Sequence, residues 1–216
     1  MKSRLVTIDL FVEDSAQEAF LSALVNRTAA EDKLKPRLSI RAARGGKGRT
    51  LDALSTYQRA IKGMALGLNV PDLLVVACDC NCSGDIQKRA EIEQAVDKAL
   101  FPRYAIACPD PHIERWYMAD PESFEAVVGA AICPGRVKCE RSFYKQMLGN
   151  AIALAGHPRT LGGKEFAEDL VRAMDPYRAG QNEPSLGRFL RDIGGHMKQL
   201  RALSCGSPPS LNSGAL

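Results

Sequence analysis

Short apolar runs alternate along the chain with longer stretches in which apolar residues recur every three or four positions. The first run, Val6-Thr7-Ile8-Asp9-Leu10-Phe11-Val12, predicts a strand. After it Ser15 is placed to cap a helix, with Glu18 three residues on as its capping-box partner and Phe20, Leu21, Leu24 and Val25 as its apolar face. Leu38-Ser39-Ile40-Arg41-Ala42 predicts a second, weaker strand. The loop Gly45-Gly46-Lys47-Gly48-Arg49 follows it, and then a helix through Leu51, Leu54, Tyr57, Ile61 and Met64. Pro71 and Asp72 lead into Leu73-Leu74-Val75-Val76-Ala77-Cys78, whose unbroken apolarity is that of a strand covered on both faces at the centre of a sheet. Gly84 breaks the chain, and Ile86 to Leu100 predict a charged helix with Ile92, Val96 and Leu100 on one side. Tyr104-Ala105-Ile106-Ala107-Cys108 predicts a fourth strand, ending at Pro109-Asp110-Pro111.

Strands that alternate with helices predict βαβ units, hence an α/β fold with a central parallel sheet flanked by helices and right-handed crossovers. The rest reads as helical: His112 to Met118, Pro121 to Val128, Phe143 to Ala155, Lys164 to Met174, and Ser185 to Leu203 with an interruption at Gly194-Gly195. The organisation predicted is one α/β domain over residues 1–204, its core reaching to about residue 130 and a helical C-terminal part following, with residues 205–216 a disordered tail.

A hydrophobic fraction of 45% and a charged fraction of 25% over 216 residues are those of a soluble globular protein. No run approaches the roughly 18 apolar residues of a membrane span, and Met1-Lys2-Ser3-Arg4 leads straight into a strand, so the expected location is cytoplasmic, without a membrane partner. Seven cysteines in such a setting are expected to be reduced thiols. The net charge of +4 is compatible with a nucleic-acid partner without demanding one. Locally, Lys33, Lys35, Arg37, Arg41, Arg44, Lys47 and Arg49 place seven cations in seventeen residues.

Glu13 ends the first strand and Asp79 the third, and ligands of open parallel sheets bind outside the carboxyl ends of the strands. Two carboxylates at one edge suit a hard divalent cation, which takes oxygen ligands and completes its shell with water and phosphate. Asn81 adds an amide oxygen. Asp85 either joins the site or caps the next helix. Glu114, on the predicted helix after the fourth strand, starts from the same edge while Ile113, Trp116 and Tyr117 occupy another face. The plain structural alternative is that Asp79 caps a turn, Glu13 is solvated and Trp116 is simply core.

The stretches Phe11-Val12-Glu13-Asp14, Asp79-Cys80-Asn81 and Pro111-His112-Ile113-Glu114-Arg115-Trp116-Tyr117-Met118-Ala119-Asp120, with Gly162-Gly163-Lys164-Glu165-Phe166 later, together resemble the Toprim-type domain. The resemblance is closer to the bacterial family of small Toprim-like proteins known as DUF4276, and it covers most of the chain. It implies a Toprim-like sheet and a Mg²⁺-dependent (or Mn²⁺-dependent) nuclease acting on nucleic acid, DNA before RNA, in a group linked to defence against phage. In that reading Glu13, Asp79 and Glu114 are catalytic. Glu13, Asp79, Asn81 and Asp85 hold metal, and Lys47, Arg49 and Lys164 neutralise phosphate. Two positions depart from the family pattern: Asp14 stands where a glycine is usual, and Asn81 where a second aspartate is. Both point to the alternative, a catalytically weakened Toprim-like subunit that binds nucleic acid or a partner ATPase. The spaced cysteines Cys78, Cys80 and Cys82 lack the downstream pair of a zinc site. The glycine-rich loop before Thr50 lacks the spacing of a nucleotide-binding P-loop, and no Gly-x-Ser-x-Gly elbow occurs.

Overall fold

The computed structural model describes residues 4–42, 49–64, 67–81, 83–135, 140 and 142–204. Four strands, β1 (Arg4–Val12), β2 (Leu34–Ala42), β3 (Leu73–Ala77) and β4 (Tyr104–Ala107), form one all-parallel sheet in the order β2-β1-β3-β4. The α/β class expected from the alternation of runs is therefore present. Every residue of β3 is buried, as its unbroken apolar run requires. In β1, alternate residues serve two cores: Val6, Ile8, Leu10 and Val12 face one, and Phe11 the other.

The larger core joins that sheet face to α1 (Ser15–Glu31), α4 (Ile113–Tyr117), α5 (Pro121–Val128), α6 (Phe143–Leu154), α7 (Ala167–Ala173), α8 (Pro176–Asn182) and α9 (Pro184–Ser204). Trp116 lies at its centre, stacked on Phe189 and beside Phe20, with its indole N–H donating to Ser185 Oγ at 2.9 Å. The smaller core lies under α2 (Arg49–Lys62) and α3 (Asp85–Ala95), where Leu54, Tyr57, Ile92 and Phe101 meet Leu74, Val76 and Ile106.

Several element boundaries differ from the expected ones. β2 starts four residues earlier than expected and contains Pro36, which an edge strand tolerates because its outer N–H groups need no partner. The cap of α1 is Asp14 and not Ser15: its Oδ1 accepts from the Ala16 and Gln17 N–H groups, both at 2.9 Å. The helix expected up to Leu100 ends at Ala95, where the Gln58 side chain receives the Asp97 N–H. A separate helix, α8, was not expected. α9 runs through Gly194-Gly195 without interruption, held by buried Leu186, Phe189, Ile193, Met197 and Leu200 on one side. The expected tail from Cys205 lies outside the described residues. Among those described, no helix is long and apolar enough to cross a membrane.

Candidate active site

β1 and β3 are adjacent, with Phe11 beside Val76, so the residues just past their ends emerge together. Beyond the last strand pairs the backbone contacts continue: Cys78 N–H donates to Ala107 O, Cys80 N–H to Pro109 O and Asn81 N–H to Pro111 O. This ladder draws the loop after β3 against the segment leading into α4, which brings Glu13, Asp79 and His112 to one place.

Glu13 Oε2 accepts the Asp79 backbone N–H at 3.0 Å. Gln17, fully buried on α1, holds both acids: its Oε1 accepts Glu13 N–H at 2.9 Å, and its Nε2 donates to Asp79 Oδ1 at 2.8 Å and to Glu13 Oε2 at 3.4 Å. His112 Nδ1–H donates to the other Asp79 oxygen at 3.2 Å. Glu13 and Asp79 thus share one bridging amide, with an imidazole behind the aspartate.

The charges there are crowded. Burial pushes the Glu13 carboxyl above the ordinary glutamate range, opposed by the hydrogen bond from Asp79 N–H and reinforced by the Asp79 and Asp14 charges. Burial likewise raises Asp79, by more than its hydrogen bonds from His112 and Gln17 lower it. Glu114, half-buried on α4, is raised by burial and then by the charges of Asp79 and Asp14. Lys88 of α3 is felt among them: burial opposes its charge, but the ion pair with Glu91, and after it the Glu13 charge, favour the ammonium form.

Of the residues expected at the site, Glu13, Asp79 and Glu114 are brought within electrostatic reach of one another. Asp85 is not: its carboxylate pairs with Arg188 of α9. Asn81, at a left-handed φ of 52°, turns its amide N–H back to the Asp79 carbonyl at 3.0 Å. Lys47 lies outside the described residues. Arg49 begins α2, on the other side of the sheet from α1, and Lys164 reaches the N-terminus of α1, with Nζ 3.4 Å from Ser15 Oγ. Asp14 has φ −151°, a conformation needing no glycine, and serves as a helix cap. Gln17 and Lys88 were not anticipated, and His112 was noted without a role. Gln17 did carry a signal, since it occupies the first position of the stripe continued by Phe20, Leu21 and Leu24, where a polar residue needs a buried partner.

Cys78 and Cys80 sit beside this site but belong to the smaller core. Burial pushes the Cys78 thiol up, and the Cys108 side chain, then burial, push up that of Cys80, so both are inert as thiolates. Among the described residues no three carboxylate, imidazole or thiol groups meet in metal-ligating geometry. The donor set is instead two hard carboxylates, with one Glu13 oxygen outside the hydrogen bonds above. This fits a cation that takes one or two protein carboxylates and keeps its water. No family model, curated protein or solved structure matches this chain.

Proposed function

We propose that this edge is the active site of a metal-dependent phosphodiesterase acting on nucleic acid, a Toprim-like nuclease in keeping with the motif resemblance. The observation that carries the reading is the bridging of Glu13 and Asp79 by Gln17 at the carboxyl ends of two adjacent strands. Glu13 and Asp79 would hold Mg²⁺ or Mn²⁺, which when bound polarises a phosphoryl oxygen and lowers the pKa of a coordinated water. Gln17 fixes the orientation of both carboxylates, so that little reorganisation remains when phosphate arrives. His112 anchors Asp79 from behind. Glu13, which burial makes a stronger base than a solvated glutamate, would in its ionised form accept the proton of the attacking water. Lys88, which feels the Glu13 charge, and Lys164, at the start of α1, are the cations offered to phosphate.

A second reading is favoured by the commitment of Asp85 to Arg188, which removes one carboxylate donor from the site. It is a binding subunit with weakened catalysis, contacting nucleic acid or a partner ATPase. Cleavage of supercoiled plasmid, linear DNA and RNA in Mg²⁺ or Mn²⁺ separates the two. The nuclease reading expects cutting that is lost on Glu13→Ala and on Asp79→Ala. A folded native protein that cuts none of the three leaves only the binding subunit.

A further inference from the structure

β2 is an edge strand, and its two faces differ in character. Leu34 and Leu38 pack into the larger core, whereas Arg41 turns to the opposite face, where its guanidinium lies 4.0 Å from the centre of the Tyr57 ring and its Nε donates to Asp9 at 2.8 Å. Alternation along the strand places Lys35, Arg37 and Ser39 on that same face. Lys35 and Arg37 are exposed, and neither forms an ion pair among the described residues. Leu5 of β1, the register partner of Lys35, is 60% exposed, so no described helix covers this part of the sheet. Charge on an edge strand guards against pairing between sheets, a role either sign would fill. Here all three charges are positive, and β2 carries no acidic residue.

The register gives the row a direction. Lys35 lies beside Leu5, Arg37 beside Thr7 and Arg41 beside Phe11, two residues before Glu13. Alternate residues on a strand are roughly 6.7 Å apart, comparable to successive phosphates on an extended nucleotide chain. We propose that the outer face of β2 is a phosphate track, on which Lys35, Arg37 and Arg41 receive the backbone of a nucleic-acid strand and lead it to the Glu13–Asp79 edge. The inference rests on the reading of that edge as a nucleic-acid site and adds the path by which the substrate reaches it. Asp9 and Tyr57 hold Arg41 in place, while Lys35 and Arg37 supply uncompensated charge.

The test is fluorescence anisotropy with a labelled single-stranded DNA, its duplex and an RNA of the same sequence. It is run in EDTA over a range of salt, on the native protein, Lys35→Gln/Arg37→Gln and a control, Arg191→Gln/Lys198→Gln, on α9. The track predicts at least tenfold weaker binding by the β2 variant at low salt. It also predicts a slope of log affinity against log salt shallower by roughly 1.4 on single strands and 1.8 on duplex, with the control unchanged. Each single variant would show about half the change in slope. Equal affinity and slope in native and β2 variants, or no binding of any of the three by the native protein, overturns the track. Plasmid cleavage by the same proteins judges the active-site reading separately: cutting with β2-independent binding retires the track alone, and β2-dependent binding without cutting retires the nuclease alone.

Discussion

Gln17 is the residue on which the geometry of the acids depends. It has no exposed surface, and it satisfies the Glu13 N–H while donating to Asp79. Gln17→Leu keeps the volume but leaves a donor and an acceptor unpaired, so urea denaturation should show a loss of about 1–3 kcal/mol, and cleavage should fall with it. Unchanged stability would mean that the amide is dispensable. Asp120 shows the opposite electrostatic balance. Burial would raise its carboxyl, but Arg178, Ser123 Oγ and the Asp175 N–H together bring it from 3.8 down to about 2. Because the folded-state value is the lower one, the stabilisation is complete above the unfolded pKa near 4 and is lost as pH falls toward 2. Asp120→Asn should therefore cost about 2–3 kcal/mol at pH 7, with native and variant melting temperatures converging near pH 2; a gap that persists there would refute this assignment. The acids at the site were legible because they end apolar runs. The tie between Asp85 and Arg188 was not, since nothing local announces a partner on a helix a hundred residues later.

At the scale of elements, the C-terminal helices are fastened by close approach as much as by apolar area. A Cβ added at Gly187 in α9 would lie 2.8 Å from Gly180 O and 3.1 Å from Gly180 Cα in α8. Alanine is the better helix former by up to about 1 kcal/mol, yet the backbone of α8 would have to move, which costs about 1–3 kcal/mol. Gly187→Ala should consequently lower stability; a rise in melting temperature would show that the two helices can separate freely. Nothing local in the sequence marks these two glycines, seven residues apart; the packing of α8 on α9 explains them. The Gly194-Gly195 pair was misleading for a related reason. Burial of five apolar side chains outweighs the local cost of two glycines, so α9 continues.

For the molecule as a whole, the sheet was readable because period-two and unbroken apolar runs report directly which faces are covered. The elements that escaped, α8 and the first half of β2, are those whose form depends on tertiary neighbours: Pro36 suits an edge, and α8 rests on α9. What the fold achieves is to place half-buried, mutually repelling carboxylates at the junction of its two central strands. On the proposed function such an arrangement would be stabilised by a divalent cation, and this can be measured without knowing the substrate. Thermal unfolding with and without Mn²⁺ should be compared in the native protein, Glu13→Gln and Asp79→Asn. At ten times its Kd, an ion bound only by the folded state adds about 1.4 kcal/mol, or about 3–6 °C for a chain of this size. The account predicts that rise in the native protein and its loss in both variants. Equal melting temperatures in native protein with and without Mn²⁺, or an equal rise in all three proteins, would contradict a metal site at Glu13 and Asp79.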